Sequence, residues 1–82
     1  MPRYFFHVKR GLMTILDREG IELTGVEEAA KEAAQQGQQI ARREALTGIP
    51  PSGGAIIVDD DGSQRIFELA FETVAGHRPR PA

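Results

Sequence analysis

Ala55-Ile56-Ile57-Val58-Asp59-Asp60-Asp61-Gly62-Ser63-Gln64-Arg65-Ile66-Phe67-Glu68-Leu69-Ala70-Phe71 is the stretch that decides the fold. Two runs rich in β-branched and apolar residues flank Asp61-Gly62, one of the strongest two-residue signals for a β-hairpin. With Asp61 and Gly62 as the turn, Val58 pairs with Arg65 and Ile56 with Phe67. Side chains alternate along a strand, so Ile56, Val58, Phe67, Leu69 and Phe71 then share one face, apolar enough to be core. The other face carries Ile57, Asp59, Ile66, Glu68 and Ala70, a mixed surface.

Working outward, Gly48 reads as a helix C-cap. Ile49-Pro50-Pro51-Ser52-Gly53-Gly54 reads as a connecting loop, because proline lacks an N–H and constrains the residue before it. Upstream of Gly48, the small and apolar residues Val26, Ala29, Ala30, Ala33, Ala34, Gly37, Ile40 and Ala41 recur at helical spacing as far as about Leu46. Thr24 and Glu27 fit a capping box that would start this helix. A glycine inside a helix costs about 1 kcal/mol relative to alanine, so Gly37 in the small-residue stripe points to close packing against bulky sheet side chains.

At the other end, Arg3-Tyr4-Phe5-Phe6-His7-Val8 alternates Tyr4, Phe6 and Val8 against Phe5, His7 and Lys9. Lys9-Arg10-Gly11 supplies a turn, and Leu12-Met13-Thr14-Ile15-Leu16 the returning strand. Asp17-Arg18-Glu19-Gly20 is a second turn, and Ile21-Glu22-Leu23 a short extended piece leading to the helix. The expected fold class is α+β with order ββαββ: a four-stranded antiparallel sheet with one helix packed on one face. One helix cannot shield both faces. Phe5, His7, Ile57 and Ile66 therefore form the candidate interaction face, since an exposed apolar patch often marks an association site.

Composition narrows the function classes. The chain has 82 residues, enough for one core, and the expected organisation is a single domain over 1–75 followed by a flexible basic tail over 76–82. It has no cysteine, hence no disulfide framework or catalytic thiolate, and self-association is the natural supplement to a small core. Ten basic and twelve acidic residues leave a net charge of −2, which opposes broad non-specific nucleic-acid binding. No apolar run approaches the roughly 20 residues that span a bilayer, and Met1-Pro2-Arg3 leads directly into strand-like sequence rather than a signal peptide. The expectation is a cytoplasmic protein with no membrane partner.

Several motifs invite sharper readings. Counting from Ile57, Asp59, Asp61, Gly62 and Glu68 fall at EF-hand loop positions, but isoleucine at the first position offers no carboxylate and the flanks read as strands. Weak cation binding at Asp59 and Asp61 is left open, with turn chemistry the simpler account. His7 has no partner set at metal-ligand or catalytic spacing, and His77 lies in the tail. The serines and threonines are scattered, with none in a strand-to-helix elbow. Gly53-Gly54 precedes a strand rather than a helix, so it reads as loop punctuation and not as a phosphate cradle. No catalytic residue, cofactor or metal site is expected. Arg42-Arg43 suits a helix C-terminus. The competing reading is a nucleic-acid-binding or regulatory module in which Arg3, Phe5, His7 and Lys9, alternate residues of one strand, form a cationic stacking platform. The leading expectation is a non-enzymatic protein acting by protein association, as a homodimer through the open sheet face or an edge strand, with an unknown protein partner as a further possibility.

The opening Met1-Pro2-Arg3-Tyr4-Phe5-Phe6-His7-Val8, the Asp17-Arg18-Glu19-Gly20-Ile21-Glu22-Leu23 segment, Glu28-Ala29-Ala30, and Asp60-Asp61-Gly62 with Phe71 resemble a family of small alphaproteobacterial proteins, common in rhizobia and known as a domain of unknown function. The resemblance spans about residues 1–74. It departs from the family pattern at Arg10, where an acidic residue is frequent, and at Ala70, where proline is. It implies no catalytic residues.

Overall fold

A computed structural model describes residues 1–48 and 54–71. In chain order the elements are β1 (Arg3–Arg10), β2 (Met13–Ile15), β3 (Ile21–Glu22), α1 (Val26–Leu46), β4 (Gly54–Asp59) and β5 (Arg65–Ala70). The α+β class holds, but the sheet has five strands rather than four. The extra strand is the Ile21-Glu22 piece. At eight residues β1 is long enough to take two partners end to end along one edge, β2 at Val8–Arg10 and β3 at Arg3–Tyr4. Its other edge pairs with β4, which in turn pairs with β5, giving the antiparallel order β2-β1-β4-β5. The expected tail at 76–82, the domain end at 75 and loop residues 49–53 lie outside the described residues.

Both hairpins turn differently from the expected form. In the first, Arg10 stays in β1 and pairs with Met13, leaving the two-residue loop Gly11-Leu12 with Gly11 at φ 57°. Arg10 is held by the helix side of the fold: its guanidinium pairs with Glu44 and lies 5.1 Å from the Phe71 ring centroid. In the second, the loop is Asp61-Gly62-Ser63 rather than Asp61-Gly62. Asp60 N–H donates to the Gln64 carbonyl at 2.9 Å, and Ser63 takes φ 63°. Asp60, not Asp61, organises it, its Oδ1 accepting from Gly62 and Gln64 N–H groups at 2.9 Å.

A bulge at Ile66 then shifts the register a second time, so Val58 faces Phe67 and Ile56 faces Leu69. Each shift alone would turn β5 over. Two in succession restore the parity, and Ile56, Val58, Phe67 and Leu69 occupy the expected common face.

The helix lies across β4 and β5. Of the eight expected positions, Ala29, Ala33, Gly37 and Ala41 are buried, one turn apart, whereas Val26 and Ala30 are exposed. Ala29 and Ala33 join Tyr4, Phe6, Ile56, Val58 and Phe71 in the core cluster. At the helix start Ala29 N–H donates to the Gly25 carbonyl at 3.1 Å, so Gly25 rather than Thr24 holds the N-cap position. Gly48, at φ 82°, ends the helix as expected. Gly54 is more than loop punctuation: it opens β4, and a Cβ there would stand 2.5 Å from a Phe71 ring carbon and 3.0 Å from the Lys9 carbonyl. Only glycine lets Phe71 reach the core at this point. Among the described residues, no helix is long and apolar enough to cross a membrane.

Candidate functional site

The face expected to be open, carrying Phe5, His7, Ile57 and Ile66, is less apolar to solvent than the sequence suggests. Ile57 is only 5% exposed and stands between His7 on β1 and Glu68 on β5. Ile66, the bulged residue, packs against the core cluster. Phe5 and His7 are half-buried and line a recess of about 270 Å³ with Asp17, Asp59, Asp60 and Asp61. The four residues thus do not form one accessible patch.

What this side of the sheet does contain is a polar network centred on His7. The Asp17 N–H donates to His7 Nδ1 at 3.0 Å, so the neutral ring carries its proton on Nε2, which lies 3.2 Å from Asp59 Oδ2. Asp17 also fills the gap between β2 and β3. Its Oδ2 accepts from the Phe6 N–H at 3.1 Å, taking the place of a missing ladder partner, and its Oδ1 accepts from Glu19 and Gly20 N–H groups at 3.1 Å. Burial alone would raise the Asp17 carboxyl, but these three backbone donors and the nearby His7 outweigh it and hold the group below its ordinary value. Gly20 takes φ 72° in this loop, and an added Cβ would stand 2.8 Å from Arg3 and 2.9 Å from Phe5 side-chain carbons. Both His7 ring nitrogens are occupied, Nδ1 by the loop at Asp17 and Nε2 by Asp59 on the neighbouring strand β4.

The Arg3, Phe5, His7 and Lys9 row is likewise committed in part. Arg3 donates to the Glu19 carbonyl at 2.7 Å and to the Glu22 carboxylate at 3.2 Å. Only Lys9 stands fully exposed. Of the two acids considered for a cation, Asp59 faces His7 and Asp61 is exposed at the tip of the turn that Asp60 braces. Among the described residues, no three His, Asp or Glu side chains converge as metal ligands.

The accessible apolar surface lies elsewhere. Among the described residues, Leu12, Met13, Ile15 and Leu16 are 105%, 69%, 60% and 55% exposed, four large apolar side chains within five residues. For Met13 and Ile15, which pair with Arg10 and Val8 and share their face, the exposure follows from the helix position. With α1 over β4 and β5, β2 overhangs beyond the layer that covers the rest of the sheet. A groove of about 360 Å³ opens there, lined by Phe6, Val8, Ile15, Leu16, Ile21 and Gln36 among others. The sequence carried a signal for this. Leu12-Met13-Thr14-Ile15-Leu16 is apolar at positions of both parities, which a strand with one solvated face does not need.

No curated protein and no solved structure matches this chain. A family model matches residues 3–72, nearly the whole described region, and the chain accordingly belongs to the domain of unknown function DUF6894.

Proposed function

We propose that this chain is a non-enzymatic protein-association domain whose contact surface is the β1–β2 hairpin edge, from Leu12 to Leu16, rather than the Phe5/Ile57 face. The observation that carries the reading is the run of four exposed apolar side chains. Fully burying a side chain of this size is worth about 1.5–3 kcal/mol, so together they supply a strong drive to be covered. The non-catalytic part of the reading is supported by His7, whose ring nitrogens are both engaged within the fold, one by the loop after β2 and one by Asp59 on β4. Arg3 and His7 already have partners within the chain, Arg3 at the surface with Glu19 and Glu22.

A photo-crosslinking residue placed at Leu16, with Gln38 on the exposed side of the helix as the control position, tests the proposal in cells. A protein adduct is expected from position 16 and not from 38, and it should vanish when Ile15→Lys is added. No adduct at 16, or equal adducts at both positions, would remove the basis for this function.

A further inference from the structure

We infer that the occupant of this edge is a second copy of the same chain, joined by antiparallel pairing of β2 with β2 of the partner about a two-fold axis at Thr14. The inference rests on the association reading above and adds the partner and its register.

The backbone sets the axis. In the tight first hairpin Arg10 and Met13 close the loop, and Val8 faces Ile15. Antiparallel ladders alternate hydrogen-bonded and non-hydrogen-bonded pairs, so Met13 and Ile15 turn their N–H and C=O groups toward β1, and Thr14, opposite Lys9, turns both of its groups outward. β2 ends the sheet on this side, which leaves the Thr14 donor and acceptor on a free edge. A second Thr14 related by a two-fold axis presents the same donor and acceptor in reverse, and the pair exchanges two hydrogen bonds.

The side chains fit that axis and no charge opposes it. Centred on Thr14, antiparallel pairing sets Met13 beside the partner copy's Ile15 and brings Leu12, at the end of the loop, toward the partner copy's Leu16, just past the strand. Leu-Met-Thr-Ile-Leu is close to a chemical palindrome, so every apolar side chain of the run meets an apolar side chain. Eight such side chains line the seam of the pair, and a specific interface has to clear about 1,000 Å².

The opposite edge differs. β5 carries Arg65, Glu68 and the Ile66 bulge, charge and irregularity that protect an edge from pairing, whereas Leu12 to Leu16 contains no charge, proline or bulge.

Two variants of the full chain test the register. Thr14→Pro removes only an outward N–H at an edge position whose extended backbone suits proline, so helix and sheet content by circular dichroism should persist. Sedimentation equilibrium should show a dimer for the parent chain, weakened at least about tenfold by this substitution. Thr14→Cys supplies the only thiol. Hydrogen-bonded antiparallel partners have Cα atoms about 5.5 Å apart, within disulfide range, so mild oxidation should give a covalent dimer much faster than Ser63→Cys does. A monomeric parent chain, a dimer unaffected by Thr14→Pro, or equal crosslinking of the two cysteine variants overturns the inference. If the parent chain is monomeric while the Leu16 crosslinker still captures another protein in an Ile15-dependent way, the self-pairing fails and the association reading stands. If neither occurs, both fail.

Discussion

Replacing Asp17 by alanine should cost this domain a large share of its stability, although the side chain sits in a loop. The carboxylate accepts three backbone N–H groups, from Phe6, Glu19 and Gly20, each at 3.1 Å. Hydrogen bonds to a charged group contribute about 1.5–3 kcal/mol each. The Glu19 donor is exposed and regains water in the variant, whereas the Phe6 donor lies half-buried at the break between β2 and β3. Counting Phe6 in full and the others in small part gives a loss of about 3 kcal/mol. An 82-residue domain has roughly 4–12 kcal/mol in all at 0.05–0.15 kcal/mol per residue. The melting temperature should therefore fall by on the order of 12–24 °C. Asp17→Asn keeps an acceptor oxygen without the charge, and should lose about half as much. Urea titration at neutral pH, followed by far-ultraviolet circular dichroism, measures both, with Glu19→Ala as a control expected within about 0.5 kcal/mol of the parent. An Asp17→Ala variant equally close to the parent would show that the carboxylate does not replace a ladder partner for β1.

The same group predicts a pH dependence. Because its folded value is depressed, Asp17 adds stability that is fully present above the ordinary value of 3.8 and is lost as pH falls through the lower folded value; Asp17→Asn should flatten that acid limb of the stability profile. Ile57→Ala should cost about 2–4 kcal/mol despite its place on the face away from the helix, because the residue is buried, and a loss under about 1 kcal/mol in urea titration would contradict this. Gly54→Ala should destabilise by at least about 1–3 kcal/mol, since the new methyl meets the Phe71 ring at 2.5 Å; recovery in a Gly54→Ala, Phe71→Leu double variant would identify the clash as the cause. Arg10→Met should cost about 2 kcal/mol, because it leaves the Glu44 carboxylate, one of whose oxygens is already buried without a hydrogen-bond partner, facing apolar surface. Removing Glu44 as well should return much of that loss.

The legible parts of this fold were those set by periodicity. Ala29, Ala33, Gly37 and Ala41 declared the buried stripe of α1 through their four-residue spacing, and Ile56, Val58, Phe67 and Leu69 declared their common face through alternation. The second result survived a register displaced by two residues. Asp61-Gly62 signalled a turn, but the Asp60 carboxylate, bonded to two N–H groups beyond it, enlarged the loop, and the Ile66 bulge restored the parity. Contacts between side chain and distant backbone were not legible. Nothing in the local sequence says that Asp17 serves the Phe6 N–H eleven positions earlier, or that Gly54 makes room for Phe71.

The exposed apolar residues fall away from the expected face for a related reason. Counting layers showed that one helix cannot cover the whole sheet, which is correct. Periodicity does not say over which strands a helix lies, and α1 over β4 and β5 leaves the helix-facing side of β2 uncovered, while Ile57, on the other face, is buried between its strand neighbours. The resemblance implied a domain of unknown function over most of the chain, as the family match has it, and Asp17 and Gly20 of the Asp17–Leu23 segment lie against β1.

Residue-resolved amide hydrogen exchange on β2 at low and high protein concentration tests self-pairing at this edge most directly. Met13 and Ile15, bonded to β1, should be protected at both concentrations, while Thr14 should exchange freely when dilute and become protected when concentrated. Free exchange at Thr14 at every concentration, with Met13 and Ile15 protected throughout, would contradict it.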